Sequence, residues 1–300
     1  MTMTTSITSG QKVQYLRMVE DAARRAANLA LEKVESLDKT GAQRLIEHGD
    51  EFETAIAELV VAKTRELSLS NQFANEEVPS NYGYLSGYKK PKGMTEQTNL
   101  LRQLFPGIGF ADEQLATRDL PKGAEGYFAI PRWETLAPTY GEAVQKVLDM
   151  IKKTRNGKLY NYCEGKLGPQ YLRQHAKTSK AFQVLGDQQK GYDILVVPCQ
   201  FGLRHRGRSV RRAREVMIAS EFALGAFANG IMILTHPERL QHDNDLWIDG
   251  GGDEFSPDAG GRFDFAPSFV FDGGRVRFDA FWVLYALDLY GSPSGFCPQK

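Results

Sequence analysis

Cysteine is scarce in these 300 residues. The three present, Cys163, Cys199 and Cys297, are far apart and form no CxxC pair. That argues against a disulfide framework or a zinc ribbon and leads us to expect a reducing compartment, the cytoplasm. Long apolar runs are missing too. None approaches the roughly 20 residues of a membrane-spanning helix, so no membrane partner is expected, and the opening Met1-Thr2-Met3-Thr4-Thr5-Ser6 lacks a signal-peptide layout. There is no GxxxxGK[ST], HExxH or EF-hand pattern, which removes the Walker nucleotide site and the standard zinc and calcium loops. Internal repeats and low-complexity tracts are absent. Net charge is also absent, since 37 basic side chains face 37 acidic ones.

That zero conceals an asymmetry. Residues 151–214 hold fifteen Lys/Arg and three acids, Glu164, Asp187 and Asp193, a local excess of twelve positive charges. Residues 241–300 carry a net of six negative charges. The basic block ends in Arg204-His205-Arg206-Gly207-Arg208-Ser209-Val210-Arg211-Arg212-Ala213-Arg214, six arginines in eleven residues without a carboxylate. Such clustering calls for a neutralising partner: nucleic acid, a phosphorylated ligand, or the chain's own acids.

The periodicities predict an α+β protein. Tyr15, Val19, Ala22, Ala26 and Leu29 recur at helical steps within 11–37, a helix that Gly41 ends or follows, and Leu45, Ile46, Ala55, Ile56, Leu59 and Val60 do so within 42–67. Together they make a helical hairpin over 1–70, able to pack on the main domain or to join two copies as a homo-oligomer. A Tyr/Gly-rich connecting region spans 71–137, in which Tyr82, Tyr84 and Tyr88 beside lysines either stack on bases or pin the loop. A mixed α/β domain follows over 138–300. In it Thr139 with Glu142 forms a capping box for a helix to about Lys153, and Pro169 suits the first turn of another. The apolar run from Tyr192 to Val197 suits a buried strand, Ser209 an N-cap, and Ile231–Leu234 a second buried strand. These would form one βαβ unit. The C-terminal section is expected to be antiparallel, with a hairpin through Asp272-Gly273-Gly274 that puts Phe269, Phe271, Val276 and Phe278 on one face.

Placed between a strand end and a helix N-terminus, the arginine loop is the first candidate site. Arg204, Arg206, Arg208, Arg211 and Arg212, with His205, are expected to contact phosphates, and Gly202 and Gly207 to let the backbone approach one. Tyr160, Tyr162 and Phe201 are candidate stacking residues. A second cluster, Asp249, Asp253 and Glu254, offers carboxylates for a divalent metal. Gly251-Gly252-Asp253-Glu254-Phe255 within it is similar to the signature that names the diguanylate cyclases, in which the motif sits on a hairpin turn and helps bind metal and GTP. The likeness covers five residues. The upstream aspartate strand of that family, with its Phe-Lys and Asn-Asp neighbours, is not matched, and Ser256-Pro257-Asp258-Ala259-Gly260-Gly261 is turn-rich where that family continues as a strand. Three functions are therefore expected in turn: nucleic-acid binding through the arginine loop, metal-dependent chemistry on a phosphorylated substrate, and assembly in which basic and acidic regions pair between subunits.

Overall fold

The computed structural model describes residues 7–34, 37–68 and 71–297. The chain divides into two compact units, Met1–Leu69 and Ser70–Lys300.

The first unit is helical. Helix α1 (Ser9–Lys33) starts with a capping box in which Thr8 accepts from the Gln11 amide and the Gln11 side chain accepts from Thr8. Helices α2 (Lys39–Glu47) and α3 (Gly49–Ser68) follow, separated at His48. Gly41 does not close α1. It lies in the first turn of α2, where its amide donates to the capping Asp38 carboxylate at 2.7 Å. A hydrogen bond between the Tyr15 and Thr64 hydroxyls links α1 to α3, and the single helix expected over 42–67 is interrupted at His48. No residue of α1 or α2 is buried.

The second unit begins with α4 (Met94–Leu104), β1 (Gly126–Pro131), α5 (Tyr140–Thr154), β2 (Leu159–Asn161) and β3 (Leu172–Gln174). It continues with α6 (Ala176–Gln188), β4 (Ile194–Gln200), α7 (Val210–Val216), β5 (Glu221–Ala223) and α8 (Ala226–Thr235). Strands β6 (Trp247–Asp249), β7 (Asp253–Phe255), β8 (Phe265–Asp272), β9 (Arg275–Trp282), β10 (Tyr290–Gly291) and β11 (Ser294–Phe296) complete it. An antiparallel sheet has the order β1-β4-β11-β5. A larger mixed sheet has the order β10-β6-β8-β7-β3, with β9 on the other side of β8 and β2 parallel to β9.

The class is α+β, with a helical region first and strands last. The Thr139–Glu142 capping box opens α5, and Ser209 caps α7 by accepting from the Arg212 amide. Gly273 and Gly274, both at positive φ, turn the β8–β9 hairpin and bring Phe269 opposite Phe278 and Phe271 opposite Val276.

Two segments differ from expectation. Ile231–Leu234 lies in α8, so it makes no strand and no crossover with β4; the parallel pairs are β2 with β9 and β6 with β10. All ten residues of α8 are buried. A helix enclosed on every side shows no polar stripe, and a short apolar run then has no period to separate helix from strand. Gly230 lets it pack against α5, since a Cβ there would meet Val147 at 2.5 Å. Pro169 precedes a turn rather than a helix, because Leu172–Gln174 is drawn into the sheet by Asp253–Phe255, some eighty residues on. The helix starts at Ala176, with His175 as its cap.

Candidate functional site

The arginine loop faces the chain's own carboxylates. Arg211 grips Glu76 through Nε at 2.8 and 2.7 Å, with its guanidinium carbon 4.3 Å from the Phe73 ring centre. Arg212 pairs with Glu77 and, at 2.8 Å, with Glu215. Arg208 reaches Glu77 at 3.3 Å, and Arg204 reaches Glu221 at 3.1 Å. Arg206 donates to the Tyr82 carbonyl at 2.9 Å. Arg214 donates to the Gly251 and Asp253 carbonyls at 2.8 and 2.7 Å. The acids ion-paired with Arg204, Arg208, Arg211 and Arg212 are thus Glu76, Glu77, Glu215 and Glu221, while the acidic C-terminal region supplies the charges that act on Arg214, those of Asp249, Asp253 and Glu254.

The glycines of the loop serve the same clasp. A Cβ on Gly207 would meet the Val78 carbonyl at 2.2 Å, and one on Gly202 the Gly291 carbonyl at 3.2 Å. Their close approaches are to the protein's own backbone. Segment 76–78 is also held by Val78 N–H to Gly207 O (2.7 Å), Ser209 N–H to Glu76 O (3.1 Å) and the Ser209 hydroxyl to the Glu76 carboxylate (2.6 Å).

His205 is buried, so it offers no surface to a phosphate. Arg208 donates to its Nδ1 at 3.1 Å, which leaves Nε2–H to donate to Glu221 at 2.8 Å. Burial and the neighbouring arginines hold its pKa down, so the ring is neutral at pH 7. Phe201 is also fully buried, packed edge-on to Tyr88 and Phe128, and has no free face for a base. Tyr84 and Tyr88 pin their loop by donating to Glu125. Tyr160 and Tyr162, by contrast, stand about half exposed.

The carboxylates named as metal ligands diverge. Glu254 pairs with Arg173 at 2.8 Å, Asp249 accepts from Ser292 at 3.5 Å, and Asp253 accepts from Tyr140. Among the described residues no three His, Cys, Asp or Glu side chains are grouped as a metal site requires. Nor does the Gly251–Phe255 motif turn a hairpin: the strands on either side of its turn, β6 and β7, both pair with β8 and not with each other. Its glycine at 252 is a packing residue, because a Cβ there would meet the Gly225 amide nitrogen at 2.4 Å.

What the motif does instead is set the Asp253 carboxylate against Tyr140 and Gly225, two residues that line a cleft. Tyr140 at the start of α5, Gln174 at the end of β3, Ser179 and Gln183 on α6, and Gly225 and Phe227 at the start of α8 surround a space of about 380 Å³. Trp133, Phe182 and Phe227 give it aromatic walls, and Glu134, Asp187 and Arg132 lie on its lining. Arg132 is fixed by donating to the Tyr192, Gly186 and Gln189 carbonyls at 2.8, 2.6 and 3.1 Å. The Tyr140 hydroxyl lies 2.8 and 2.9 Å from the two Asp253 oxygens, and Ala226 N–H donates to the same carboxylate at 2.7 Å. Gly225 permits this closeness, since a Cβ there would meet the carboxylate at 2.2 Å.

Asp253 is fully buried and has no ion pair among the described residues. Burial pushes it up to about 7, against the opposing pull of the Ala226 and Tyr140 hydrogen bonds and of the Arg214 charge. Tyr140 is pushed well above its ordinary value by burial and by Asp253, so it keeps its proton at neutral pH. Asp249 is likewise raised to about 7 by burial. His175, next to the cleft residue Gln174, is lowered to about 4 by burial and by Arg214.

The sequence named Asp253 for another role and did not name Tyr140, whose only local sign is its place one residue after a helix cap. Comparison with protein-family models, curated proteins and solved structures finds no match to the chain. No helix among the described residues is long and apolar enough to cross a membrane.

Proposed function

We propose that this protein binds a small polar organic molecule in the Tyr140 cleft and exchanges a proton with it through the Tyr140–Asp253 pair. One observation carries the proposal: Tyr140, a residue of the cleft lining, is hydrogen-bonded through its hydroxyl to a buried carboxylate that makes no salt bridge among the described residues and feels Arg214 only from farther away. The cleft lies at the small end of the range for organic ligands, and its mix of aromatic walls with a few convergent polar groups is what such sites have. With Asp253 ionised, Tyr140 donates to it and offers lone pairs to the cleft. With Asp253 protonated, the carboxyl can donate to the phenol oxygen and free the phenol proton for an acceptor on the ligand. Near neutral pH both arrangements lie within reach, which is the property a proton-exchanging site needs.

A thermal-shift screen of small polar metabolites tests this. Binders are expected whose affinity falls about tenfold in Tyr140→Phe, the loss of one hydrogen bond, and vanishes in Ser179→Trp, which fills the cleft from its exposed side. Titration calorimetry in two buffers of different ionisation enthalpy should reveal proton exchange in the wild type and none in Asp253→Asn. A folded protein without binders, or binders indifferent to Ser179→Trp, would overturn the proposal.

A further inference from the structure

Strand β2 forms an edge of the mixed sheet, bonded on one side to β9. Its alternation sends Leu159 and, two residues past the strand, Cys163 into the core, both under a tenth exposed, while Tyr160 and Tyr162 emerge 48 and 52% exposed. The two rings lie together, centroids 4.5 Å apart at 59°. They sit on a fixed backbone: Tyr160 is in register with Arg277, the Tyr162 amide donates to Phe278 O at 2.9 Å, and Asn161 caps the Cys163 amide at 2.8 Å.

One cation lies near a ring of the pair, and two more flank the pair along the chain. The Arg275 guanidinium lies 5.8 Å from the Tyr160 ring centre, and Arg275 makes no ion pair among the described residues. Arg277 differs, since it is paired with Asp272. Lys158 and Lys166 bracket the tyrosines and are exposed. Acids are close as well: Glu164 lies within that bracket, and Asp279, next to Phe278 on β9, acts on Cys163. Large exposed aromatics beside a cation without an ion pair, Arg275, are what distinguishes a base-stacking surface from an apolar docking face, which loses its charges at the centre. The rings also select the form of the polymer, because a side chain stacks on a base only where that base has left its own stack.

We propose that this face binds single-stranded nucleic acid, with bases on Tyr160 and Tyr162 and phosphates on Arg275, Lys158 and Lys166. Fluorescence anisotropy of the full chain with labelled single-stranded and duplex oligonucleotides of about ten nucleotides tests it, a length within the footprint of small stacking domains. The single strand should bind more tightly than the duplex. Affinity should drop about tenfold or more in the Tyr160→Ala/Tyr162→Ala double variant and survive in Tyr160→Phe/Tyr162→Phe. Arg275→Ala should flatten the dependence on salt by close to one counterion. Circular dichroism of each variant establishes that it is folded. No binding by the folded wild type at low salt, preference for the duplex, or equal binding by the alanine double variant would each overturn the proposal.

Discussion

Glu221 and Asp253 are both buried carboxylates, and their surroundings send them in opposite directions. Burial raises Glu221, but the His205 hydrogen bond, Ser294 and Arg204 outweigh it and bring the group to about 2 from an ordinary 4.5. Its stabilisation is therefore complete above pH 4.5 and is lost as pH falls toward 2. Glu221→Gln should cost about 2–3 kcal/mol in urea denaturation at pH 7, the lower end for a broken buried pair because Arg204 is a third exposed. A change within error would mean that the clasp carries no stability. Asp253 has a folded value of about 7 against an ordinary 3.8, so it penalises the folded state increasingly as pH rises between those values. The stability of Asp253→Asn relative to wild type should climb over that window, at up to about 1.4 kcal/mol per pH unit. A flat difference would show that Asp253 ionises normally. Neither environment was legible along the chain. Glu76 and Arg211 meet across 135 residues, and Asp253 meets Tyr140 across 113, so local charge counting could place the arginines but not their partners.

At the scale of elements, what was legible is what is decided locally. The capping box at Thr139, the cap at Ser209 and the Gly273-Gly274 hairpin each depend on residues within a few positions, and each stands where the spacing puts it. Helix α8 and strands β2 and β3 do not belong to that kind, because enclosure on all sides and pairing with β9 and β7 are decided by distant chain. The arginine segment joins both kinds. Its helix start was readable, whereas its attachment to residues 76–78 was not. Gly207 is the hinge of that attachment, at φ +71° and against the Val78 carbonyl. Gly207→Ala should destabilise by about 2 kcal/mol, the cost of a non-glycine residue in such a conformation with a contact to relieve. Amide exchange at Val78 and Ser209 should quicken in step. An unchanged exchange rate at both would contradict the clasp.

For the molecule as a whole, the balanced net charge conceals a paired interior network and two separate surfaces of the second unit. The arginine loop is largely paired with glutamates close to it in space, and this leaves the Tyr160 face and the Tyr140 cleft as the places where ligands are proposed to act. The two proposals are independent, since a base-stacking surface makes no use of Asp253. The cleft depends on one property, a carboxyl beneath Tyr140 that changes protonation near neutrality. Carbon-13 NMR of the aspartate carboxyl groups, with the Asp253 signal assigned by its loss in Asp253→Asn, measures that property without a ligand. The midpoint should lie at about 7 and move higher in Tyr140→Phe, where a hydrogen bond favouring the ionised form is gone. A midpoint near the ordinary aspartate value of 3.8, unmoved by Tyr140→Phe, would contradict the account.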